Sequence, residues 1–300
     1  MAFSAVAGDT NLPNGFFSPV IYSKKVLKAF RKASVVEDIT NTDYAGEIEN
    51  YGDTVQIILE PDITVSPYVR GQVVESTPLV DNQVTLIVDK ANKFQFEVDD
   101  IEKKQSHVNW ETLATGRAGY KLKDAFDTEV LAYMVAQATT ASTDLGTSGS
   151  PITVDLAGTN PSPLVVMNRA QRLMDLQNIP AEERFFVADP IFWERMGDEN
   201  SRLMNALYIG DRGRDMPLIN GHVSDMQIRG FTCYRSNNLP VTSGKQSFLV
   251  GHMSSTCTVN QIAKIEQFRS TTSFSDVVRG LHMYGRKVLR SNALFSGFYQ

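Results

Sequence analysis

The stretch GDTVQIILEPDITVSPYVRG, residues 52–71, and the stretch VTLIVDKANKFQFEVDDIEKKQS, residues 84–106, decide how this chain is interpreted. Both are rich in β-branched and aromatic residues, which favour extended strands. Proline and glycine interrupt the first stretch, and proline is kept out of the middle of a sheet because it cannot donate to the ladder. We therefore predict one long, twisted, two-stranded excursion that ends at Asp99 and Asp100.

A long helix is predicted after this excursion, because apolar residues recur at i, i+3 and i+4 over several turns. These residues are Leu122, Ala125, Phe126, Val130, Tyr133 and Met134. Gly116 and Gly119 lie in its first half, and each costs about 1 kcal/mol relative to alanine in a helix. We therefore expect a bend or close packing at this point.

A second compact part is predicted after a Thr/Ser/Gly-rich stretch at residues 139–163, which is the best candidate for a boundary. The pattern then indicates a helix over 163–177, a buried strand at RFFVADP, residues 184–190, and a helix over 191–196. Short strands follow. Helices that alternate with strands are typical of a compact α/β or α+β unit.

Composition is that of an ordinary globular protein: 300 residues, 42% hydrophobic, 21% charged and a formal net charge of −5. The length allows two domains or one elaborated domain. The apolar run at 130–138 is far shorter than the ~20 residues that a bilayer crossing needs, and the N-terminus lacks a signal-peptide pattern, so we expect neither a membrane anchor nor export. Cys233 and Cys257 have no metal or redox spacing and are predicted to be packed, reduced thiols.

Charge is unevenly distributed: the first 36 residues carry +4 and the remainder −9. Residues 1–18 have no periodic pattern and are predicted to form an irregular arm, and residues 19–33 a short amphipathic helix. Its cations are Lys24, Lys25, Lys28, Arg31 and Lys32, and its apolar residues are Val26, Leu27 and Phe30. Three interpretations stay open: a solvated face, contact with nucleic-acid phosphates, or docking on an acidic neighbouring subunit.

Catalytic chemistry is not indicated, and we expect no catalytic, cofactor or metal site. The four histidines stand singly, and the segments GTSGS (146–150) and SGKQS (243–247) lack the spacing of a nucleophile elbow or a phosphate loop. The Asp99-Asp100 pair is more typical of a helix cap than of acid–base catalysis. A charged loop is either a solvated tip or an inter-subunit ion-pair contact, and it consists of Asp211, Arg212, Arg214 and Asp215.

The order of these parts is more informative than any single motif, because the arm and the excursion cannot bury themselves within one monomer. The chain resembles the major capsid proteins of tailed bacteriophages with the Hong Kong 97-type fold, particularly the shorter coat proteins of podovirus-like phages. Residues 52–71 and 84–106 resemble the two sides of the family's extended loop. LMDLQNIPAEERFFVADPIFWERM (173–196) resembles its axial domain, and VVRGLHMYGRKVLRSNAL (277–294) its C-terminal pattern.

The resemblance implies an α+β fold with five segments. They are an N-terminal arm with the basic helix (1–45), an extended β-hairpin loop (46–98), a peripheral domain with a long spine helix (99–159), an α/β axial domain (160–275), and C-terminal strands that return to the core sheet (276–300). It also implies inter-subunit contacts at the hairpin tip, through Pro67, Tyr68, Arg70, Glu75 and Asp81.

The function implied is self-assembly, as hexamers and pentamers in the host bacterial cytoplasm, into an icosahedral virion head that encloses double-stranded DNA. Implied partners are a separate scaffolding protein, because no fused assembly domain precedes the arm, together with a portal protein, DNA bound non-specifically and a decoration protein. No cofactor or membrane is implied, and no Lys, Asn and Glu set is assignable to a covalent crosslink. Two alternatives stay open: an encapsulin-type compartment shell, and an enzyme or carbohydrate-binding protein without a recognisable motif.

Overall fold

The structure is a computed structural model that describes residues 34–44, 54–61, 63, 65, 67–71, 82–105, 110–139, 142–154, 161–197 and 227–300. Its helices are α1 (Val36–Ile39), α2 (Asp100–Gln105), α3 (Trp110–Gln137), α4 (Ser142–Leu145), α5 (Pro163–Leu176) and α6 (Pro190–Met196). Its strands are β1 (Thr54–Leu59), β2 (Asn82–Ile87), β3 (Lys90–Asp99), β4 (Arg184–Ala188), β5 (Gln227–Ile228), β6 (Phe231–Arg235), β7 (Gln246–His252), β8 (Thr256–Arg269), β9 (Ser275–Val288) and β10 (Leu294–Tyr299).

The strands form three sheets. β1 and β2 pair as an antiparallel hairpin, β3, β9 and β8 form a second sheet in that order, and β10, β7, β4, β6 and β5 form a third. Every described pairing is antiparallel except that of β4 with β6. The mixed helix and sheet class is therefore confirmed, and so is a two-stranded hairpin, formed by β1 and β2. The prediction that this excursion runs to Asp99 was wrong, because β3 pairs along its whole length with the distant strand β9 and so belongs to the three-stranded sheet.

The long helix α3 lies on the three-stranded sheet. Phe126 is 2% exposed, and its ring packs edge-on against Tyr284 at 4.9 Å and against His282 at 5.5 Å between centroids. Phe126, Val130 and Met134 of the predicted apolar stripe are thus confirmed as core, whereas Leu122, Ala125 and Tyr133 are only partly buried. Gly116 and Gly119 are exposed, and nothing lies within 4 Å of where a Cβ would stand, so close packing does not account for either glycine.

The five-stranded sheet is covered on both faces. Every residue of β4 is buried, with Phe186 in the cluster formed with α5 and α6, and with Phe185 and Val187 in the cluster formed with α1 and α3. Because successive strand residues point to opposite faces, one strand contributes to two cores. The helix, strand and helix predicted between residues 163 and 196 are confirmed.

Asp127 of α3 is fully buried and ties distant segments together. Its Oδ1 accepts hydrogen bonds from the Val35 and Val36 amides at 2.9 and 3.0 Å and from Ser34 Oγ at 3.0 Å. Its Oδ2 accepts from Asn238 Nδ2 at 2.9 Å. Buried carboxylates are stable only when their oxygens are satisfied in this way, so the segment that leads into α1 is fixed on α3.

The two cysteines are free and buried, as predicted. Burial raises the pKa of Cys233 and of Cys257 to about 12, because the charged thiolate is disfavoured away from water. Both thiols are therefore protonated at neutral pH and contribute to packing rather than to chemistry.

Candidate self-association surfaces

The β1–β2 hairpin is anchored at its base by one apolar face. Ile57 is 6% exposed and Leu86 is fully buried, and both pack with Val88, Cys257 and Val259. The pairing register places Val55 opposite Leu86 and so aligns the apolar residues of the two strands on this face. The hairpin is therefore fixed to the start of β8.

The rest of the excursion leaves apolar side chains in solvent, with exposures from 48% at Ile87 to 90% at Val65. The members of this set, here called the hairpin patch, are Ile58, Ile63, Val65, Tyr68, Val69 and Ile87. Single exposed apolar residues are normal on a protein surface, but several on one excursion mark an interaction site.

The structure places three of the five predicted tip residues. Pro67, Tyr68 and Arg70 are exposed, and Tyr68 belongs to the hairpin patch with an exposure of 66%. Glu75 and Asp81 lie outside the described residues.

A second exposed apolar site lies at the turn between β8 and β9, where Phe274 is 82% exposed. The turn is held by a hydrogen bond from the Ser270 amide to the Ser275 carbonyl at 3.0 Å. Arg269 donates to both carboxylate oxygens of Asp100 and pairs with Asp276 at 3.2 Å. Sequence reasoning missed this site, although an isolated phenylalanine in a run of serine and threonine between two long β patterns was an available signal.

β8 is an edge strand of the three-stranded sheet. Its first residues are covered, because the Asn41 amide donates to the Thr256 carbonyl at 2.9 Å and the Thr258 amide donates to Asn41 at 3.0 Å. Beyond this point no strand among the described segments pairs with its outer edge. Free edges are templates for association with another chain.

The basic helix and the charged axial loop were both predicted contact sites, and both lie outside the described residues. The basic residues are Lys24, Lys25, Lys28, Arg31 and Lys32, and the loop residues are Asp211, Arg212, Arg214 and Asp215. The first described residue after the basic helix is Ser34, which is bound to Asp127.

The three segments that resemble catalytic or phosphate-binding motifs have structural roles in the fold. Asp99 accepts a hydrogen bond from the Ile101 amide at 2.8 Å and so caps α2, as predicted. Within GTSGS, Thr147 and Ser150 exchange backbone hydrogen bonds of 3.0 and 3.1 Å, which define a tight turn. Within SGKQS, Ser243 and Gly244 both have positive φ in a two-residue turn that is closed by backbone hydrogen bonds of 3.0 Å between Thr242 and Lys245.

Asp189 is the buried carboxylate with the most distinctive surroundings. It accepts a hydrogen bond from the Phe192 amide at 3.0 Å and another from the Tyr299 hydroxyl, and burial raises its pKa. As the N-cap of α6 it joins that helix to β10.

In the described part of the chain there is no group of three or more His, Cys, Asp or Glu side chains placed to hold a metal. Among the described helices, none has the length and apolar character that a bilayer crossing requires.

Comparison with known proteins identifies the fold. No protein-family model and no curated protein match the chain. A solved chain from Mycobacterium phage Che8 is similar with a TM-score of 0.79 and 24% identity, covering 96% of this chain and 98% of that chain. A chain of the capsid of Cyanophage P-SCSP1u is similar with a TM-score of 0.72 and 20% identity, covering 95% and 93%. A chain of the Cyanophage Pam1 capsid has a TM-score of 0.70 and 15% identity, covering 97% and 98%. The chain therefore has the fold of phage capsid chains, as the sequence resemblance predicted.

Proposed function

We propose that this chain is the major capsid protein of a tailed bacteriophage, with a Hong Kong 97-type fold, and that its copies form an icosahedral head around double-stranded DNA. The observation that carries the proposal is the similarity to phage capsid chains over more than nine-tenths of both chains. The hairpin patch supports it, because its apolar side chains are 48–90% exposed.

The mechanism follows from repetition of weak contacts. The hairpin is fixed at its base and exposed beyond it, so it reaches across to a neighbouring subunit and buries the hairpin patch there. Each subunit extends its own hairpin to one neighbour and receives the hairpin of another. The interface is therefore head-to-tail, and the subunits can close into a ring. Many identical contacts in a closed shell yield an assembly much more stable than any single pair.

We propose five functional segments: an arm with the basic helix (1–45), an extended loop (46–98), a peripheral domain (99–159), an axial domain (160–275) and returning C-terminal strands (276–300). The β1–β2 hairpin lies inside the second segment, α3 inside the third, and α5, β4 and α6 inside the fourth. β10, in the last segment, pairs with β7 and so returns to the five-stranded sheet.

The partners proposed are further copies of the chain in hexamers and pentamers, a separate scaffolding protein, a portal protein and the packaged DNA. A decoration protein would add contacts on the outside of the shell. The role is structural and non-enzymatic, and the protein belongs to the virion after assembly in the host cytoplasm. The basic helix either contacts DNA phosphates without sequence preference or docks on an acidic neighbour.

Negative-stain microscopy and light scattering of the chain, alone and co-expressed with its genomic neighbours, test the proposal. We expect closed shells or tubular polyheads when scaffold is present. A sharp monomer or dimer peak over a wide range of concentration and salt, with scaffold present, would contradict it. Regular shells without scaffold, with an enzyme enclosed, would favour the encapsulin-type alternative.

Replacing the hairpin tip, Tyr68 to Asp81, with a short Gly/Asn turn tests the proposed contact. The anchoring residues Ile57 and Leu86 are retained, so we expect a folded monomer that builds no stable shells. Normal shells from this variant would mean that the tip is not an assembly contact.

A further inference from the structure

A groove of about 230 Å³ lies beside α3, on the face of the three-stranded sheet that carries this helix. Its lining is largely apolar and includes Phe94, Leu122, Phe126, Ile265 and Leu281. α3 packs on β3 and β9, which leaves the β8 side of the sheet without a covering helix in the described structure. Room therefore remains next to α3, along β8.

The groove favours an apolar occupant. Ile265 is 58% exposed at its rim. His282 lines the groove, and its Nδ1 has no hydrogen-bond partner in the described structure. Burial lowers the pKa of His282 more than Glu37 raises it, so the ring is neutral at neutral pH.

The course of the chain brings one segment to this groove. Ser34, Val35 and Val36 are held on Asp127, the residue next to Phe126 in the groove wall. Glu37 also lines the groove and pairs with Lys123 at 2.7 Å. The residues that precede Ser34 therefore start close to the groove.

The sequence immediately before Ser34 has the complementary pattern. Val26, Leu27 and Phe30 recur at helical spacing, and Lys24, Lys28 and Arg31 lie on another side of the same predicted helix. Three residues separate Phe30 from Ser34, which is a span of up to about 13 Å when extended. A cavity of about 150 Å³ holds a benzene molecule, so a groove of about 230 Å³ accommodates one phenylalanine ring.

We propose that residues 24–33 bind in this groove of their own chain, with Phe30 as the anchor and the cations turned towards solvent. The short connection to Ser34 gives the segment a high effective concentration at the groove, which a second copy must compete with. This binding is a property of the single chain and does not depend on the proposed shell. It places the basic face where another subunit or DNA can reach it.

Two glycines of α3 provide a matched test. Gly119 lines the groove and Gly116, one turn away, does not, while both are exposed with open space at the Cβ position. Gly119→Phe therefore introduces a ring at the groove from a position where the Cβ meets open space, and Gly116→Phe makes the same change outside the groove. The readout is tryptic cleavage of the unassembled full chain after the five cations at 24–32, followed by mass spectrometry.

We expect Gly119→Phe to speed this cleavage about tenfold, because cleavage follows the population of the open form, and Gly116→Phe to leave it unchanged. Circular dichroism confirms that both variants are folded. Equal cleavage rates in the wild type and both variants would overturn the proposal. Protection that rises with protein concentration would also overturn it, because the occupant would then come from a second copy.

A disulfide between Phe30→Cys and Ile265→Cys gives an independent measurement. We expect it to form within one chain under mild oxidation, and Lys28→Cys with Ile265→Cys, which places the thiol on the opposite side of the segment, to react slowly. The native thiols do not interfere because both are buried. A disulfide that forms only between two chains would overturn the proposal while leaving shell assembly as a separate question.

Discussion

β4 and the β1–β2 hairpin use similar residues for opposite purposes. All five residues of β4 are buried, and even its Arg184 is 3% exposed, with an ion pair to Asp175 at 2.8 Å and a hydrogen bond to the Pro180 carbonyl at 2.7 Å. The hairpin buries Ile57 and Leu86 at its base and exposes the hairpin patch. Apolar sequence alone therefore does not define a core, because what matters is whether the same chain supplies the cover.

The buried region therefore determines the stability of the subunit, and the exposed region is where we expect association with other subunits. The helix and sheet clusters around β4 and α3 hold the subunit together, and the exposed hairpin patch and Phe274 contribute little to it. Changes in the first region should appear as unfolding, and changes in the second as a loss of assembly in folded protein.

Phe126→Asp is expected to have the largest effect. It removes a ring that is 2% exposed and packs on His282 and Tyr284, which costs about 3–5 kcal/mol, and the buried unpaired charge adds several more. We expect no folded protein, measured by solubility, circular dichroism and limited proteolysis. Soluble and protease-resistant mutant protein would show that this face of α3 is not core.

Asp127→Ala is expected to have an intermediate effect. It leaves the buried Val35 and Val36 amides without their acceptor, and unsatisfied buried groups cost about 1–3 kcal/mol each. Asn238 Nδ2 loses one of its two acceptors and keeps Asp124 Oδ1 at 3.1 Å. We expect the free energy of unfolding in urea to fall by at least about 2 kcal/mol, with residues before Ser34 cleaved faster. Ser34→Ala is the matched control, because it removes only one partly exposed hydrogen bond to the same carboxylate.

Acid sensitivity should arise partly at His282. Burial lowers its pKa below the ordinary 6.5 although Glu37 raises it, so the unfolded chain binds a proton that the folded chain resists. The stability contribution is complete above about pH 7.5 and is lost as pH falls below about 6.5, by at most about 1.4 kcal/mol per pH unit.

His282→Phe keeps an aromatic ring beside Phe126 and Tyr284 and removes the titration, so urea midpoints should fall less steeply with acid than in the wild type. His252, in the five-stranded sheet, also has a pKa lowered by burial, and its Nδ1 accepts from the Ser254 amide at 3.2 Å. The His252→Phe variant therefore measures how much His252 contributes to the acid sensitivity of the protein. An unchanged slope in His282→Phe would mean that His282 does not contribute to acid sensitivity.

Local periodicity predicted the elements that carry their own signal. The apolar spacing around Phe126 and Val130, and the strand at residues 184–188 between two helices, are readable from neighbours in sequence. Pairing between distant segments cannot be read from neighbouring residues in this way. Gly280 lies opposite Phe94 in β3, and a Cβ there would stand 2.2 Å from the Phe94 ring, a constraint that exists only once the two strands are side by side.

The candidate surfaces were predicted unevenly for the same reason. Proline and glycine predicted only that Pro67, Gly71 and their neighbours do not join a central strand, whereas the contact role of the hairpin tip was implied by the family resemblance and stays a prediction. Phe274 was missed although its isolation among serine and threonine residues was a local signal, because that signal does not show whether the ring is exposed in the whole fold. The groove beside α3 depends on which strand the helix leaves uncovered, and no local pattern records this.

Phe274→Ser is expected to have the smallest effect on stability. The side chain is 82% exposed, and surface substitutions of this kind change the free energy of unfolding by less than about 0.5 kcal/mol. The turn itself should persist, because the bond from the Ser270 amide to Ser275 and the Arg269 ion pairs involve no atom of the Phe274 ring. A rigid turn that presents one aromatic ring loses little entropy on association, so removing the ring should weaken shells much more than it weakens the subunit.

Thr271→Ala in the same turn is the control, and both variants are compared by urea unfolding and by the yield of shells with scaffold. If Phe274→Ser shells form as well as those of the control, the turn is solvent-facing in the assembly, and the division between stability and association then rests on the hairpin patch.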